Sequence, residues 1–155
     1  MSLLTVESHI SIDRPPAAVF DFISTPANWA GLHPGSQQIV GKGVNESAKQ
    51  GTRFIEVIDD ANGLKFDAHW VVTRSHKNEF FQFQFPSDYA QGPFQEIVIT
   101  YNVSEKADGS TAFTRRMVSW IKPGVDTKPL SSFYENDMHN EYVARVKARV
   151  ENTSS

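Results

Sequence analysis

Apolar and polar residues alternate along most of this chain, with the period of two that is typical of β-strands. The first alternating stretch covers residues 3–12, and six more follow between residues 36 and 121. Clusters of turn-forming residues separate these stretches. We therefore predict seven strands, with limits at residues 3–12, 36–43, 52–59, 64–72, 80–85, 94–103 and 111–121.

Asn62-Gly63 lies between the third and fourth predicted strands and is a strong hairpin signal, so we expect a mostly antiparallel sheet. A two-residue turn at this site pairs Ile55 with Trp70. It also pairs Val57 with Ala68, which makes this face of the strand pair apolar. The opposite face suits solvent because it carries Glu56, Asp67 and His69.

Two short segments after the first strand have helical signals instead. Pro15-Pro16 sets prolines where a helix can begin, and residues 17–24 carry apolar side chains at helical spacing. Thr25-Pro26 repeats the start signal. His33 stands before Pro34, a place biased away from helical angles, so the second helix has two turns at most.

The end of the chain, from beyond Pro129 to about Val150, also has the helical period. Its apolar stripe consists of Tyr134, Met138, Tyr142, Val146 and Val150. A twisted sheet with one apolar face needs a cover, and this helix is the only long element left to supply it. Since one helix cannot fill the curve of such a sheet, we expect a cavity lined by Phe, Trp and Tyr side chains.

The adjacent arginines Arg115 and Arg116 must point to opposite faces of their strand, so one of them faces inward. The apolar companions Phe113 and Met117 select Arg115, unless a bulge shifts the register. A buried guanidinium keeps its proton and must be paired. Its partner is either an acidic group of a ligand or a carboxylate of the long helix, for which the candidates are Asp137 and Glu141.

Charge and hydropathy exclude several classes of partner. The formal net charge is −3, and no Lys/Arg cluster exceeds two residues, so nucleic-acid binding is disfavoured. No apolar run reaches the ~18 residues that a membrane span needs. We expect a soluble, cytoplasmic protein without integral membrane contact, either a monomer or a homodimer.

Cofactor chemistry is also disfavoured. The chain has no cysteine, and its five histidines lack the spacing of metal ligands. No glycine-rich phosphate loop is present, so neither a metal nor a nucleotide cofactor is expected. Because no segment has the composition of a linker, we predict a single domain over residues 1–155.

Residues 12–35, IDRPPAAVFDFISTPANWAGLHPG, resemble the opening of the polyketide cyclase/dehydrase-like branch of the START/Bet v 1-like (SRPBCC) superfamily. Gly51-Thr52-Arg53 and Gly109-Ser110-Thr111 resemble its later strand starts. The resemblance implies an α+β helix-grip fold. In that fold a seven-stranded antiparallel curved sheet wraps around a long C-terminal helix, two short helices follow strand 1, and an internal cavity remains.

The resemblance also implies a function. The first hypothesis is binding or transport of a small hydrophobic ligand, aromatic, lipid or polyketide-like, in the cavity. The alternative is a polyketide cyclase or dehydratase that works by general acid/base chemistry there. His33 would then abstract a proton beside a carbonyl and Arg115 would hold the enolate oxygen, although His33 could instead bond the backbone at its helix end. A third reading is a protein-interaction module resembling the Hsp90-activator branch.

The candidate ligand-binding residues lie on the inner faces of the predicted elements, together with Tyr89 of the 86–93 loop. We interpret that loop either as a lid at the cavity mouth or as an ordinary surface hairpin loop. The full set is Trp29, His33, Arg53, Phe66, Trp70, Phe83, Tyr89, Ile99, Tyr101, Phe113, Arg115, Tyr134, Met138 and Glu141.

Overall fold

The structure is a computed structural model that describes residues 2–33, 35–60, 63–86 and 91–153. It contains seven strands, two α-helices and two short 3₁₀ helices in these ranges. The strands are β1 Ser2–Ile12, β2 Ser36–Val40, β3 Arg53–Asp59, β4 Lys65–His76, β5 Phe80–Gln84, β6 Phe94–Glu105 and β7 Thr111–Ile121. The helices are α1 Pro16–Ile23 and α2 Asn136–Glu151, with 3₁₀ helices at Pro26–Trp29 and Lys128–Phe133.

The strands form one antiparallel sheet in the order β1-β7-β6-β5-β4-β3-β2. The first strand therefore pairs with the last, and all other neighbours are consecutive in the chain. This arrangement confirms the predicted sheet, two short helices and long C-terminal helix. None of the helices in the described ranges is long and apolar enough to cross a membrane.

Helix α1 begins where the prolines predict. Pro16 occupies its first turn, where a missing N–H costs nothing. Val19, Phe20 and Ile23 are buried against the sheet because they recur at spacings of one helical turn. The following 3₁₀ helix turns the chain and places Trp29 in the core.

Helix α2 buries a different stripe from the one predicted. Tyr142, Val146 and Val150 are buried, but Met138 is only partly buried and His139 takes its place. The buried positions are His139, Tyr142, Val143, Val146 and Val150. The prediction failed at the start of the helix because a strict spacing of four residues drifts about 40° around a helix at every step.

The register between β3 and β4 also differs from the prediction by one residue. Phe54 pairs with Trp70, and Ile55 pairs with His69 rather than with Trp70. The connection is longer than a two-residue turn: the Asp60 amide donates to the Leu64 carbonyl at 2.9 Å. Asn62, which suggested the tighter turn, lies outside the described residues.

A shift of one residue exchanges the two faces of a strand. Phe54 and Ile58 therefore face the core and are buried, and Glu56, which was expected to face solvent, lies on the same inner face and is partly buried. Ile55 and Val57, which were expected to be inside, lie on the other face and are also partly buried. The shift moves a carboxylic acid from the outer to the inner face of the strand.

The core is a cluster of stacked and edge-on rings around Trp29, which is 2% exposed. Its ring stacks on Phe83 with the centroids 4.7 Å apart and meets Phe54 edge-on at 5.3 Å. Its indole N–H donates to the Ile23 carbonyl at 2.9 Å, which ties the ring to helix α1. Trp29 thus joins the first helix to the inner face of the sheet.

Truncation of this ring should strongly destabilise the fold. We expect Trp29→Ala to lower the free energy of unfolding by roughly 3–5 kcal/mol, because it removes a fully buried aromatic side chain and leaves a cavity. Leu3→Ala serves as the control, since Leu3 is 59% exposed. Urea unfolding followed by fluorescence and circular dichroism measures both. Equal effects of the two substitutions would contradict this account of the core.

Candidate functional site

The sheet and helix α2 enclose a cavity of about 30 Å³. A space of this size holds about one water molecule. Its apolar walls are formed by Trp29, Ile58, Trp70, Phe83, Ile97, Ile99 and Met117. Polar groups also reach it, namely those of His33, Glu56, Tyr101, Arg115 and Tyr142. The cavity therefore combines aromatic walls with a compact set of acid, base and cation.

Glu56 lines the cavity but is absent from the ligand-binding residues that were predicted from the sequence. Its carboxyl accepts a hydrogen bond from the Ser36 hydroxyl at 2.7 Å and another from the Trp70 indole N–H at 3.3 Å. Burial raises the pKa of Glu56, while those two hydrogen bonds and the charge of Arg115 act in the opposite direction. The raised pKa suits a group that must both take and return a proton.

Strand β3 reads Arg53-Phe54-Ile55-Glu56-Val57-Ile58-Asp59, and both of its faces carry apolar side chains. The alternation alone therefore does not decide which face is inside. The one signal in the sequence is that Glu56 lies between the apolar residues Phe54 and Ile58 on the same face of the strand. Only a correct turn length between β3 and β4 would have assigned that set to the core.

Arg115 faces the core, as the sequence analysis expected, and is 6% exposed. Its Nη1 lies 2.5 Å from Nδ1 of His139, and its guanidinium carbon lies 4.6 Å from the centre of the Tyr142 ring. Its Nε is buried and has no hydrogen-bond partner among the described residues. The cation is thus held by an imidazole and an aromatic face, and one of its donors is unused.

The expected carboxylate partners of Arg115 on the long helix are wrong. Asp137 and Glu141 are exposed, and Glu141 instead forms an ion pair with Arg145 one turn further along the helix. The residue of α2 that reaches Arg115 is His139, because the helix buries the stripe that contains His139 and Tyr142.

The contact between Arg115 and His139 defines the state of the imidazole. An arginine side chain cannot lose its proton in a protein, so it must be the donor. Nδ1 of His139 is then the acceptor, and the ring is neutral with its proton on Nε2. A charged imidazolium would place two cations side by side in the interior.

Two tyrosines complete the polar set. The hydroxyls of Tyr101 and Tyr142 lie 2.9 Å apart. Burial raises the pKa of Tyr101 and raises that of Tyr142 well above its ordinary value, against the effect of the nearby Arg115 charge. Both phenols therefore stay protonated at neutral pH and can donate hydrogen bonds.

His33 enters the cavity from the segment before β2 and is 7% exposed. Its Nδ1 accepts a hydrogen bond from the Gly35 amide at 3.2 Å, and its ring centre lies 5.9 Å from that of His139. From helix α2, Nη1 of Arg145 donates to the Gly31 and Leu32 carbonyls at 3.2 Å each, which holds this segment in place. His33 thus bonds to the backbone through its Nδ1, which was one of the two roles expected for this residue.

The structure brings half of the predicted ligand-binding residues to the cavity wall. These are Trp29, His33, Trp70, Phe83, Ile99, Tyr101 and Arg115. Phe113 is buried behind this wall, with its ring centre 5.5 Å from that of Tyr101. Phe66, Tyr134 and Met138 are only partly buried.

Two predicted ligand-binding residues are on the surface instead. Arg53 is exposed because the shift between β3 and β4 puts it on the outer face, and Glu141 is exposed on helix α2. Tyr89 lies outside the described residues, as do residues 87–90 of the 86–93 loop that was interpreted as a possible lid. No cluster of metal-ligating side chains occurs in the part of the chain that the structure describes.

The sheet and the long C-terminal helix form a helix-grip fold, which a START superfamily protein shares. Residues 4–152 match the family described as polyketide cyclase / dehydrase and lipid transport, so the chain belongs to this family. A relative from Penicillium ochrochloron, penitrem biosynthesis cluster 1 protein I, is 36% identical over 152 residues. The match covers 97% of this chain and 99% of that protein.

Several solved structures share the fold. TTHA0849 from Thermus thermophilus has a TM-score of 0.74 at 15% identity, over 97% of this chain and 99% of that chain. A START superfamily protein from Mycobacterium smegmatis has a TM-score of 0.71 at 12% identity, with coverage of 97% and 99%. The di-domain ARO/CYC BexL from the BE-7585A biosynthetic pathway has a TM-score of 0.72 at 12% identity, over 98% of this chain and 51% of that chain.

The buried carboxyl should make folding stability depend on pH. Since the folded-state pKa of Glu56 is raised above its ordinary value of 4.5, the folded state binds this proton more tightly than the unfolded state. The free energy of unfolding then falls as pH rises from about 4.5 through the folded-state pKa. We expect Glu56→Gln to remove this loss and to gain stability relative to the wild type as pH rises.

Urea unfolding of both proteins at several pH values between about 4 and 8 measures the difference. Glu141→Gln is the matched control because it removes an exposed carboxylate, and it should not reproduce the gain. Parallel stability curves for the wild type and Glu56→Gln would rule out a buried carboxyl that is difficult to ionise.

Proposed function

We propose that this protein is a cyclase or dehydratase that binds a small hydrophobic molecule in its inner cavity and uses Glu56 as the acid/base group. One observation carries the proposal: Glu56, a partly buried residue whose carboxyl is desolvated, and the buried Arg115 line the same aromatic cavity. A protein that only stores an apolar ligand has no need for two desolvated ionisable groups, because the desolvation of each costs free energy. Such pairs are frequent at sites of proton transfer.

The aromatic walls indicate the class of ligand. Trp29, Trp70 and Phe83 present ring surfaces to the cavity, which suit a flat, apolar molecule. Family membership supports the same class, and a relative at 36% identity is named for penitrem biosynthesis. We infer that the ligand is an intermediate of specialised metabolism with a largely apolar skeleton and an oxygen-bearing end.

The polar groups suggest how such a molecule would react. Glu56 takes a proton from a carbon next to a carbonyl group, and Arg115 together with Tyr101 or Tyr142 donates hydrogen bonds to the developing enolate oxygen. In a dehydration, Glu56 then returns the proton to the departing hydroxyl, which leaves as water. We assign the base role to Glu56 rather than to His33, because Nδ1 of His33 is already used by the backbone.

Ligand entry requires the cavity to widen. Its volume of about 30 Å³ is far below the ~300–1,000 Å³ of pockets that hold molecules of drug size. The space is small because large rings fill the inner face of the sheet. In our proposal, ligand binding therefore displaces some of these side chains, and the bound state differs from this closed one.

Arg115 should anchor anionic apolar molecules. We expect the protein to bind 1-anilinonaphthalene-8-sulfonate, a flat apolar anion, with one molecule per chain in native mass spectrometry. Arg115→Met should weaken that binding by about tenfold or more, because it removes charge-assisted hydrogen bonds. Fluorescence titration measures the affinity.

Arg116→Met is the matched control, since Arg116 lies next in the chain but is exposed and pairs with Glu7 at 3.6 Å. It makes the same change in net charge and should leave the affinity nearly unchanged. Cooperative unfolding of both variants shows that the fold is intact. If Arg115→Met binds the dye as tightly as Arg116→Met does, Arg115 is not the anchor.

Turnover should depend on Glu56. We expect a poly-β-ketone substrate to be cyclised or dehydrated by the wild type and Glu56→Gln to lose about 10²–10⁴-fold in rate, the usual contribution of a general acid/base group. Liquid chromatography with mass spectrometry follows the loss of water. Glu141→Gln should keep full activity, and dye binding by Glu56→Gln shows whether its cavity still opens. If the wild type binds the ligand but shows no turnover, the proposed reaction is wrong and only the proposed ligand binding is supported.

A further inference from the structure

We infer that Ser36 and Trp70 are positioning residues for Glu56: their hydrogen bonds orient its carboxyl in the cavity and stabilise its ionised form. The three side chains form one hydrogen-bonded unit at the inner face of β2, β3 and β4. The catalytic meaning of this unit rests on the function proposed above, but its geometry does not.

Trp70 sets the role of one carboxyl oxygen. Its indole N–H can only donate, and it lies 3.3 Å from Oε1 of Glu56. Oε1 therefore accepts this bond in both charge states. The bond favours the form of the neutral carboxyl in which Oε2 carries the proton, because a carbonyl oxygen is a better acceptor than an acid hydroxyl oxygen.

Ser36 serves the other oxygen in both charge states. Its hydroxyl lies 2.7 Å from Oε2, and a hydroxyl can donate or accept. It donates to Oε2 when Glu56 is ionised and rotates to accept when Oε2 carries the proton. Loss and return of the proton at Oε2 then require no movement of the carboxyl itself.

A β-bulge directs Ser36 into the core. Ser36 pairs with Ile58, and Gln38 pairs with Val57, so Gln37 is an extra residue in strand β2. In a regular strand Ser36 and Gln38 would share a face, but here Ser36 is 2% exposed while Gln38 is exposed. Bulges commonly re-aim a side chain next to a functional site.

Other ionisable or hydrogen-bonding groups face the same cavity from the neighbouring elements. Tyr101 comes from β6, Arg115 from β7, Tyr142 from α2 and His33 from the segment before β2. Neither Ser36→Ala nor Trp70→Phe removes any of these groups. A shift in the titration of Glu56 in such variants therefore reports the lost hydrogen bond.

The titration of Glu56 tests the inference without any substrate. In protein labelled with [δ-¹³C]glutamate, the carboxyl signal that disappears in Glu56→Gln belongs to this residue. We expect Ser36→Ala and Trp70→Phe each to raise its titration midpoint by about one unit, because each removes a hydrogen bond that stabilises the ionised form. Ser36→Thr keeps the hydroxyl and should titrate close to the wild type.

Ser24→Ala is the matched control, since Ser24 is equally buried but its hydroxyl bonds to Ser47 at 2.6 Å. It should leave the midpoint unchanged. Midpoints in Ser36→Ala and Trp70→Phe that equal the wild-type value would overturn the inference. If the protein has turnover, the pH–rate profile of kcat should move in the same direction in both variants. Shifted midpoints in a protein without turnover would support this inference and refute the proposed reaction.

Discussion

The interior of this protein depends on the desolvation of two ionisable groups, Glu56 and Arg115, at one small aromatic cavity. Arg115 keeps its charge, so the core must supply partners that do not compete for a proton: the neutral imidazole of His139 and the ring face of Tyr142. Glu56 can avoid its charge by holding a proton, and burial raises its pKa accordingly. Desolvation of these groups costs folding free energy. The same desolvation raises the pKa of Glu56, which suits the proton transfer proposed for it.

The aromatic packing explains why the cavity is both enclosed and small. Trp29 connects helix α1 to the rings of the sheet, and its indole N–H is satisfied by the backbone at Ile23. Rings packed at these distances leave room for about one water. Closed packing protects the acid and the cation from solvent, and it requires a rearrangement before a larger molecule can enter. The structure therefore presents the resting form of the proposed site.

Much of the fold could be predicted because its signals are local. Alternation located seven strands, prolines located the starts of the two short helices after β1, and the inward direction of Arg115 followed from its apolar neighbours. The candidate site was harder. The choice of Asp137 and Glu141 as partners of Arg115 failed because both lie on the exposed face of helix α2, whereas the buried face carries His139 and Tyr142.

The sequence by itself determined the order of elements, the aromatic character of the inner face and the presence of one buried arginine, since each follows from the chemistry of residues close in the chain. The tertiary structure alone decided that Glu56 faces inward. Strand β3 is apolar on both faces, so its inner face is chosen by the register with β4, and that register depends on a turn whose length the residues do not reveal. One residue of register thus separates a surface carboxylate from the proposed acid/base group of the candidate site.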